Sequence, residues 1–297
     1  MIKPVISIIC YTLMCVFSAS AYAEWTIVRT TTYSHPVNIA QFEDYSFGAT
    51  AGFAGEIRFS ADGGVTWPAY QKGAACLFGL DILDAKNIWF CGNRKLVYTS
   101  HDKGKSLRKL PDYGANEPDH CRHISFCDPL HGWIAAPSSI SATKDGGNTW
   151  TTITPPCKET IVAIFMRTVS EGYVLSSSGT LFNTKDGGAS WTSLPLGVSD
   201  RMEQDMISDD YYAPRAAINF RDERNGIVLF FAVTPGDKWI SMRTADGGKT
   251  WTSDPLPEIV SEINGPVAIS RDAKLITLTN KTRKKIYLIS DGRTTGK

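Results

Sequence analysis

The sequence predicts an all-β fold, a single β-propeller built from four-stranded antiparallel blades. Three observations support this prediction. An eight-residue motif recurs five times, a weaker Asp-containing turn recurs between its copies, and β-prone segments flank both. Four antiparallel strands in about 40 residues are typical of one propeller blade. The spacing of the motif therefore predicts where each blade begins and ends.

The octapeptide has the consensus Ser/Thr-x-Asp-x-Gly-x-Ser/Thr-Trp, with Leu107 in place of the last residue in one copy. Its Asp-x-Gly segment indicates a tight turn in which Gly takes positive φ and the carboxylate accepts hydrogen bonds from turn amides. The Trp supplies a large apolar anchor for the next strand. We therefore predict a structural role, in the hairpin between the third and fourth strands. The residues concerned are Asp62, Trp67, Asp102, Asp145, Trp150, Asp186, Trp191, Asp246 and Trp251.

The weaker repeat lies upstream of the octapeptide in each unit. Its clearest copies are Asp84–Trp89, Asp128–Trp133 and Asp222–Ile227, and Val169–Tyr173 is a looser one. Each copy follows one apolar β-prone segment and leads into another. This pattern predicts the turn between the first and second strands of a blade.

Five octapeptides predict five blades, and the two ends of the chain predict a sixth. Three further strands are indicated near the C-terminus, at Gly265–Ser270, Leu275–Leu278 and Lys285–Ile289. The N-terminal segment Trp25–Arg29 is similar to the strand that follows Trp150, and it would supply the missing fourth strand. Such closure removes an exposed sheet edge. We predict six blades, with seven as the alternative count.

The N-terminus predicts an exported chain. Lys3 precedes an apolar run from Pro4 to Phe17, and Ala21-Tyr22-Ala23 fits the small-x-small pattern of signal peptidase sites. The run is shorter than the ~20 residues of a membrane-spanning helix. We therefore expect a signal peptide at residues 1–23, a propeller domain at 24–297 and a periplasmic or secreted location. An uncleaved N-terminal anchor is the alternative.

The balance of charged residues argues against a nucleic-acid-binding protein. Without Lys3, the chain has 30 basic and 30 acidic residues, and runs such as Arg283–Lys285 are interpreted as solvated turns and strand edges. We expect no nucleic-acid partner.

Without residues 1–23, five of the seven cysteines remain. Five is an odd number, so at least one of them is free or pairs outside the chain. The predicted strands are compatible with a disulfide from Cys121 to Cys76 or from Cys121 to Cys157. The other two cysteines are Cys91 and Cys127.

The octapeptide resembles the Asp-box, or bacterial neuraminidase repeat, of sialidases and related propellers. The resemblance covers almost the whole mature chain, and the spacing of about 40 residues is most similar to photosystem II assembly-factor-type propellers. It implies that the octapeptides lie on the face away from the ligand site. It also implies a role in maturing or stabilising a membrane protein complex.

A sialidase would be expected to carry an Arg-Ile-Pro element, an arginine triad from several blades, a Tyr–Glu pair and an Asp acid/base. The sequence has no Arg-Ile-Pro, and Arg215, Arg221 and Arg224 cluster in one blade. We therefore expect no catalytic residues, no metal and no cofactor. The alternative is a carbohydrate-active protein, either a sialidase-like glycosidase or a glycan-binding lectin. Aromatic residues in the channel flanked by two or three carboxylates would favour that alternative.

One interval breaks the spacing, because 60 residues separate Asp186 from Asp246. The long connection Leu194–Pro214 accounts for it, and long loops in compact domains are usually functional or disordered. A solvated acidic loop and a calcium site are the alternatives. We predict a non-catalytic, monomeric scaffold that binds a protein partner through this loop. The candidate residues are Asp200, Arg201, Glu203, Asp205, Asp209, Asp210, Tyr211, Tyr212 and Arg215.

Overall fold

The computed structural model describes residues 25–32, 36–71, 75–113, 120–197, 215–232, 238–257, 265–280 and 282–291. These residues form 24 strands in six four-stranded antiparallel sheets, together with one 3-10 turn at Phe53–Gly55. The all-β, six-bladed propeller is therefore confirmed. The signal peptide predicted at residues 1–23 lies outside the described residues and stays a prediction.

The strands follow one another in regular order. The chain begins with β1 (Trp25–Thr32). Blade 1 contains β2 (Val37–Phe42), β3 (Gly48–Gly52), β4 (Ile57–Ser60) and β5 (Ala69–Gln71). Blade 2 contains β6 (Leu77–Asp84), β7 (Asn87–Gly92), β8 (Val97–Ser100) and β9 (Arg108–Lys109). Blade 3 contains β10 (His123–Phe126), β11 (Gly132–Ala135), β12 (Ile140–Thr143) and β13 (Thr151–Ile153).

The second half of the ring repeats this order. Blade 4 contains β14 (Ile161–Met166), β15 (Gly172–Ser176), β16 (Thr180–Thr184) and β17 (Thr192–Pro195). Blade 5 contains β18 (Ala216–Phe220), β19 (Gly226–Ala232), β20 (Lys238–Thr244) and β21 (Thr252–Ser253). Blade 6 contains β22 (Val267–Ile269), β23 (Leu275–Thr279) and β24 (Lys285–Asp291), and β1 is its fourth strand.

The octapeptide turn uses the same hydrogen bonds in all five copies. In blade 3, the Thr143 hydroxyl donates to Asp145 Oδ1 at 2.8 Å and accepts from the Gly147 N–H at 2.8 Å. The Thr149 N–H and hydroxyl donate to the Asp145 carboxylate at 2.8 and 2.7 Å. The same contacts surround Asp62, Asp102, Asp186 and Asp246. The carboxylate therefore satisfies the amides of its own turn.

The last residue of each octapeptide packs between its own blade and the preceding one. Trp251 joins the apolar cluster between blades 4 and 5, and Leu107 takes the equivalent place between blades 1 and 2. Trp67, Trp150 and Trp191 fill three further spaces. The space between blades 5 and 6 is filled by Trp25, from the opposite end of the chain. Trp25 thus takes the place of a sixth octapeptide Trp.

Ring closure depends on a polar contact as well as on this packing. β1 pairs antiparallel with β24, from Trp25 opposite Asp291 to Thr32 opposite Lys285. The Trp25 indole N–H donates to Asp254 Oδ2 at 2.7 Å in a buried contact. Arg243 donates to both Asp254 and Asp291, and its guanidinium lies 4.8 Å from the centre of the Trp25 ring. The closing strand is therefore anchored to blade 5 as well as to blade 6.

Two faces of the ring differ in the connections they carry. Four of the octapeptide turns, in blades 1, 3, 4 and 5, are tied to the first turn of their own blade by a backbone hydrogen bond. In blade 3 the Gly146 N–H donates to Leu130 O at 2.8 Å. Equivalent bonds join Gly63 to Ser46, Gly187 to Ser170 and Gly247 to Arg224. These turns share what we call the turn face. The turns between second and third strands, and the connections between blades, lie on the opposite loop face.

The disulfide joins Cys91 to Cys121, with 5.7 Å between their Cα atoms, and Cys76, Cys127 and Cys157 are free. Both pairings that fitted the sequence, Cys121 with Cys76 and Cys121 with Cys157, are therefore wrong. The reason is Gly79, which pairs with Cys91 in the sheet. A Cβ atom there would lie 2.5 Å from the Cys91 sulfur. The missing side chain lets the sulfur reach over the first strand to blade 3.

We predict that Trp25→Ala lowers the free energy of unfolding by about 3–5 kcal/mol, because a buried anchor of the closing strand is lost. Urea unfolding measures the change. Trp25→Phe keeps most of the packing but removes the indole donor to Asp254, so its loss is smaller. Thr26→Ala, at an exposed neighbouring position, is the control. Wild-type stability in Trp25→Ala would contradict the closure described here.

The octapeptide carboxylates also predict acid sensitivity. Hydrogen bonds from Thr149 lower the pKa of Asp145, and those from Ser190 lower the pKa of Asp186, each from 3.8 to about 2. A carboxyl group whose pKa is lower in the folded state than in the unfolded state stabilises the fold. This stabilisation is fully present above the unfolded-state pKa and is lost as the pH falls through the folded-state pKa. We therefore expect melting temperature to fall between about pH 4 and pH 2.

The Asp145→Asn, Asp186→Asn double variant tests this assignment. It should be less stable than the wild type at neutral pH and should lose less further stability over the acid range. Asp112→Asn, at an exposed loop position, provides the matched control. Parallel curves for the wild type and the double variant would show that other groups cause the acid sensitivity.

Candidate functional site

The first strands of all six blades surround the central channel. They line a cavity of about 80 Å³. Each first strand has an equivalent position, three residues before the first turn of its blade, and in four of the six blades this position carries a polar side chain. The residues at this position are Gln41, Asp81, Ser125, Phe165, Asn219 and Ile269.

The polar members of this set connect neighbouring blades. Gln41 Oε1 accepts from the Ile82 N–H at 2.9 Å. In the same way, Asp81 accepts from Phe126 at 2.5 Å and Ser125 from Met166 at 3.0 Å. Asn219 donates to Ser270 O at 2.8 Å. These side chains are thus engaged in holding first strands together, which gives them a structural role in the channel wall.

Arg271 extends from blade 6 across the channel. Its Nη2 donates to Met166 O at 2.9 Å, and its guanidinium lies 5.1 Å from the centre of the Phe165 ring, both on blade 4. Its Nη1 is 4.0 Å from Asp81 Oδ2 on blade 2. Neither blade adjoins blade 6, so the side chain obstructs the channel near the turn face. A ligand would therefore reach the cavity from the loop face.

Burial shifts the pKa of two titratable groups in the channel wall and of two of the free thiols. Burial raises the pKa of the Asp81 carboxyl, although the Arg271 charge opposes the shift. Burial and the Arg122 charge lower the pKa of His123 to about 3. Burial raises the pKa of the Cys127 and Cys157 thiols to about 11, so both stay protonated.

The carbohydrate-active alternative gains no support from the channel. Among the described residues that line the cavity, Asp81 is the single carboxylate, beside the aromatic side chains of Phe78 and Phe165. Glycoside hydrolysis ordinarily needs two carboxyl groups that flank the scissile bond. The expected pattern, aromatic rings with two or three carboxylates, is therefore not found among these lining residues.

Of the nine candidate binding residues, Arg215 lies within the described ranges. Its carbonyl accepts from the Phe231 N–H at 3.0 Å, and its guanidinium lies 5.6 Å from the Phe231 ring centre. The long connection begins after β17 and ends before β18, so both of its ends lie on the loop face. Asp200, Arg201, Glu203, Asp205, Asp209, Asp210, Tyr211 and Tyr212 lie outside the described residues, and their role stays a prediction.

A hairpin tip on the loop face of blade 2 has an unfavourable backbone conformation. Arg94 and Lys95 have φ values of 57° and 56°, and the Leu96 N–H closes the turn by donating to Asn93 O at 3.1 Å. Such angles cost a non-glycine residue about 1 kcal/mol each. Hairpin turns with two positive φ values strongly prefer Asn-Gly. The Arg-Lys pair is therefore maintained here against the local backbone preference.

The surroundings hold this tip firmly. The disulfide joins Cys91, in the strand before the tip, to Cys121 at the start of blade 3. The Asn93 N–H donates to Cys76 O at 2.9 Å, and Asn93 also forms a β-bridge with His120. The tip is thus fixed to the connections on both sides of blade 2. Arg94 is exposed and Lys95 is half-buried on this rigid support.

The equivalent tips of blades 1 and 6 also contain a non-glycine residue with positive φ. Ala54 in blade 1 and Arg283 in blade 6 also have positive φ, at 54° and 57°. Arg283 is buried, donates to Asn38 Oδ1 at 2.9 Å and lies 4.6 Å from the Phe53 ring centre. Lys284 and Lys285 follow it and are exposed. We call Arg94, Lys95, Lys284 and Lys285 the basic sector of the loop face.

No sequence motif marks the basic sector. The charge pattern predicts a solvated turn at Arg283–Lys285, whereas the structure buries Arg283 against blade 1 and leaves Lys284 and Lys285 exposed. One signal was available for Arg94 and Lys95. The short gap between the strands of blade 2 contains neither Asn-Gly nor Asp-Gly, so a basic pair must occupy the tip of the turn.

Comparisons with known proteins agree with this architecture. The sequence profile of the family described as photosynthesis system II assembly factor YCF48 matches residues 115–207, about a third of the chain. A structure of YCF48 bound to a D1 peptide is 15% identical, with a TM-score of 0.55 over 91% of this chain and 96% of that chain. The resemblance to assembly-factor-type propellers is therefore confirmed. No curated protein sequence matches significantly.

Other solved structures share the fold. YCF48 from Cyanidioschyzon merolae is 15% identical, with a TM-score of 0.52 over 92% of this chain and 100% of that chain. A streptogramin B lyase is 13% identical, with a TM-score of 0.59 over 92% of this chain and 99% of that chain. Binding proteins and an enzyme thus share this architecture, and the fold alone does not assign a function.

Two further findings apply to the described ranges. No three His, Cys, Asp or Glu side chains within them are grouped so as to hold a metal ion. No helix within them has the length and apolar character needed to cross a membrane.

We predict that Arg271→Met destabilises the fold by about 3 kcal/mol or more, because it leaves the buried Asp81 without its opposing charge. Chemical denaturation measures the loss. The double variant Arg271→Met, Asp81→Asn should recover part of it, since the uncompensated carboxyl is removed. A single variant as stable as the wild type, or no recovery in the double variant, would show that the two side chains are not coupled.

Proposed function

We propose that this chain is a non-catalytic, protein-binding propeller that acts outside the cytoplasm as an assembly or stability factor for a membrane or envelope complex. The observation that carries the proposal is the strained, braced tip of Arg94 and Lys95 on the loop face. Backbone strain at an exposed position persists where the surroundings impose it, and it is concentrated at functional sites. Here a disulfide and two neighbouring connections impose it.

The chemistry of the basic sector favours an acidic partner segment. Arg94, Lys95, Lys284 and Lys285 bring four cations to blades 2 and 6, on either side of blade 1, and Glu56 at the tip of blade 1 is already paired with Arg58. A guanidinium on a fixed support binds a carboxylate through two parallel hydrogen bonds. We therefore propose that an extended segment rich in Asp and Glu lies across blades 6, 1 and 2. A propeller of this fold has been solved with a peptide bound.

Two observations support an extracytoplasmic location. The N-terminal segment has the composition and the Ala-Tyr-Ala site of a signal peptide. The Cys91–Cys121 disulfide is of the kind that persists in oxidising compartments. The membrane or envelope complex is proposed from the resemblance to assembly factors.

The long connection between blades 4 and 5 is proposed as a second contact for the same partner. Its ends lie on the loop face with the basic sector, and its residues 198–214 include the acidic and tyrosine side chains named from the sequence. Deleting Val198–Ala213 should therefore weaken partner binding with little change in melting temperature.

The decisive variant is Arg94→Asn, Lys95→Gly, which replaces the strained pair by the sequence that the turn prefers. We expect its free energy of unfolding to rise by about 1–2 kcal/mol, since the backbone cost is relieved. We expect partner recovery to fall at least about tenfold, since two cations of the site are removed. Affinity purification of the tagged chain from the envelope fraction, with thermal unfolding, measures both.

Lys144→Glu, at an exposed position on the turn face, is the matched control and should recover the partner normally. A purely structural tip would change stability without changing partner recovery, and that result would remove the basic sector from the proposed site. Hydrolysis of aryl glycosides by the purified chain would contradict the non-catalytic proposal.

A further inference from the structure

The predicted signal-peptidase site adjoins the strand that closes the ring. The expected cleavage bond joins Ala23 to Glu24, and β1 begins at Trp25. An extended chain spans at most about 3.6 Å per residue, so the Cα atoms of Ala23 and Trp25 lie within about 7 Å of each other. The contacts that hold Trp25 therefore also limit access to the cleavage bond.

Trp25 is buried in the closed ring. Its side chain is 1% exposed and fills the space between blades 5 and 6. Its indole N–H donates to Asp254 Oδ2 at 2.7 Å, and the Arg243 guanidinium lies 4.8 Å from its ring centre. In the sheet, Trp25 is paired with Asp291 of β24. Moving Trp25 away from blade 5 would therefore break apolar packing, a buried hydrogen bond and strand pairing together.

The rest of β1 is attached to the blade on its other side. Arg29 donates to the carbonyl oxygens of Asp62 and Gly63, and the Thr31 hydroxyl donates to Gly64 O at 2.8 Å, all in blade 1. Chain termini are usually poorly ordered unless they are tied down in this way. The closed ring therefore holds the chain from the second residue after the expected cleavage bond.

A protease reaches a bond only where the chain can leave the fold. Exposed loop tips are the preferred sites of cleavage. In a folded chain, cleavage follows the population of the locally open state when opening and closing are fast. A protease active site contacts residues on both sides of the bond, and here the second residue beyond the bond is the buried Trp25. Cleavage of a closed ring would therefore require β1 to detach first.

We propose, on the basis of the extracytoplasmic location proposed above, that signal-peptide cleavage and ring closure exclude each other, so that cleavage comes first. Cleavage adds water across the bond between Ala23 and Glu24, which leaves a carboxyl group on Ala23 and a free α-amino group on Glu24. β1 then completes blade 6. Opening of the ring and access to the bond are thus the same event.

The order of the strands along the chain favours this sequence of events. β1 is the first strand to be made, and β24, with which it pairs, is the last. Contacts between distant segments form slowly, because bringing the two ends of a long chain together costs entropy. The bond therefore stays accessible until β22, β23 and β24 have also been exported, which gives the peptidase time to act.

Reversible inhibition of signal peptidase in cells that express the full chain tests this order. Inhibition gives the exported precursor time to fold, and resistance to limited proteolysis identifies the chains whose ring has closed. After removal of the inhibitor, we expect the resistant precursor to be cleaved at least about tenfold more slowly than precursor made after the removal. The precursor and the product differ in mass, so pulse-labelling and gel electrophoresis measure both rates.

A spacer variant, with about ten Gly and Ser residues inserted between Glu24 and Trp25, is the matched control. It leaves β1 intact and moves the cleavage bond away from the fold, so its resistant precursor should be cleaved as fast as newly made precursor. Trp25→Ala loosens β1 and should restore cleavage of the precursor that accumulates during inhibition.

Rapid cleavage of the resistant wild-type precursor would overturn the proposal, because a closed ring would then leave the bond accessible. Equally slow cleavage of the resistant spacer variant would do the same, since β1 would not be the obstacle. A wild-type chain that becomes resistant only after cleavage would support the proposal, because closure then waits for processing. If neither the wild type nor the spacer variant is cleaved at all, the proposed signal peptide itself is wrong, and the proposed order fails with it.

Discussion

A large apolar side chain fills the space between each pair of neighbouring blades, and the ring closes because all six spaces are filled. Five of these side chains end an octapeptide, namely Trp67, Leu107, Trp150, Trp191 and Trp251. The sixth, Trp25, comes from the N-terminal strand. The octapeptide carboxylate fixes the turn that places the anchor, so its hydrogen bonds and the packing act together. Ring closure then follows from two ends of the chain that complete one blade.

This arrangement also separates the two faces by function. On the turn face, carboxylates and hydroxyls are satisfied by their own turns, as around Asp145. Arg271 obstructs the channel near that face, and the polar residues of the channel wall join neighbouring strands. The loop face, by contrast, carries exposed cations on an unfavourable backbone. Stability and recognition therefore depend on different sets of residues, which is why we locate partner binding on the loop face.

The fold was predictable because its signals are local and repeated. The Asp-x-Gly turn, the spacing of about 40 residues and the similarity of Trp25–Arg29 to a fourth strand are each readable from the sequence. The disulfide was not, because its geometry depends on the missing side chain of Gly79, which lies in another strand. Arg271 was not, because its contacts join blades that are distant in sequence. Arg94 and Lys95 were missed because residue preference predicts other residues at positive φ.

Hydrogen–deuterium exchange of the full chain with and without its co-purified partner tests the central claim most directly. The account predicts partner-dependent protection at residues 91–96 and 282–285 and in the connection between blades 4 and 5. It predicts unchanged exchange in the octapeptide turns. Protection confined to the turn face, or exchange unchanged over the whole chain in a complex that is shown to be intact, would contradict partner binding through the loop face.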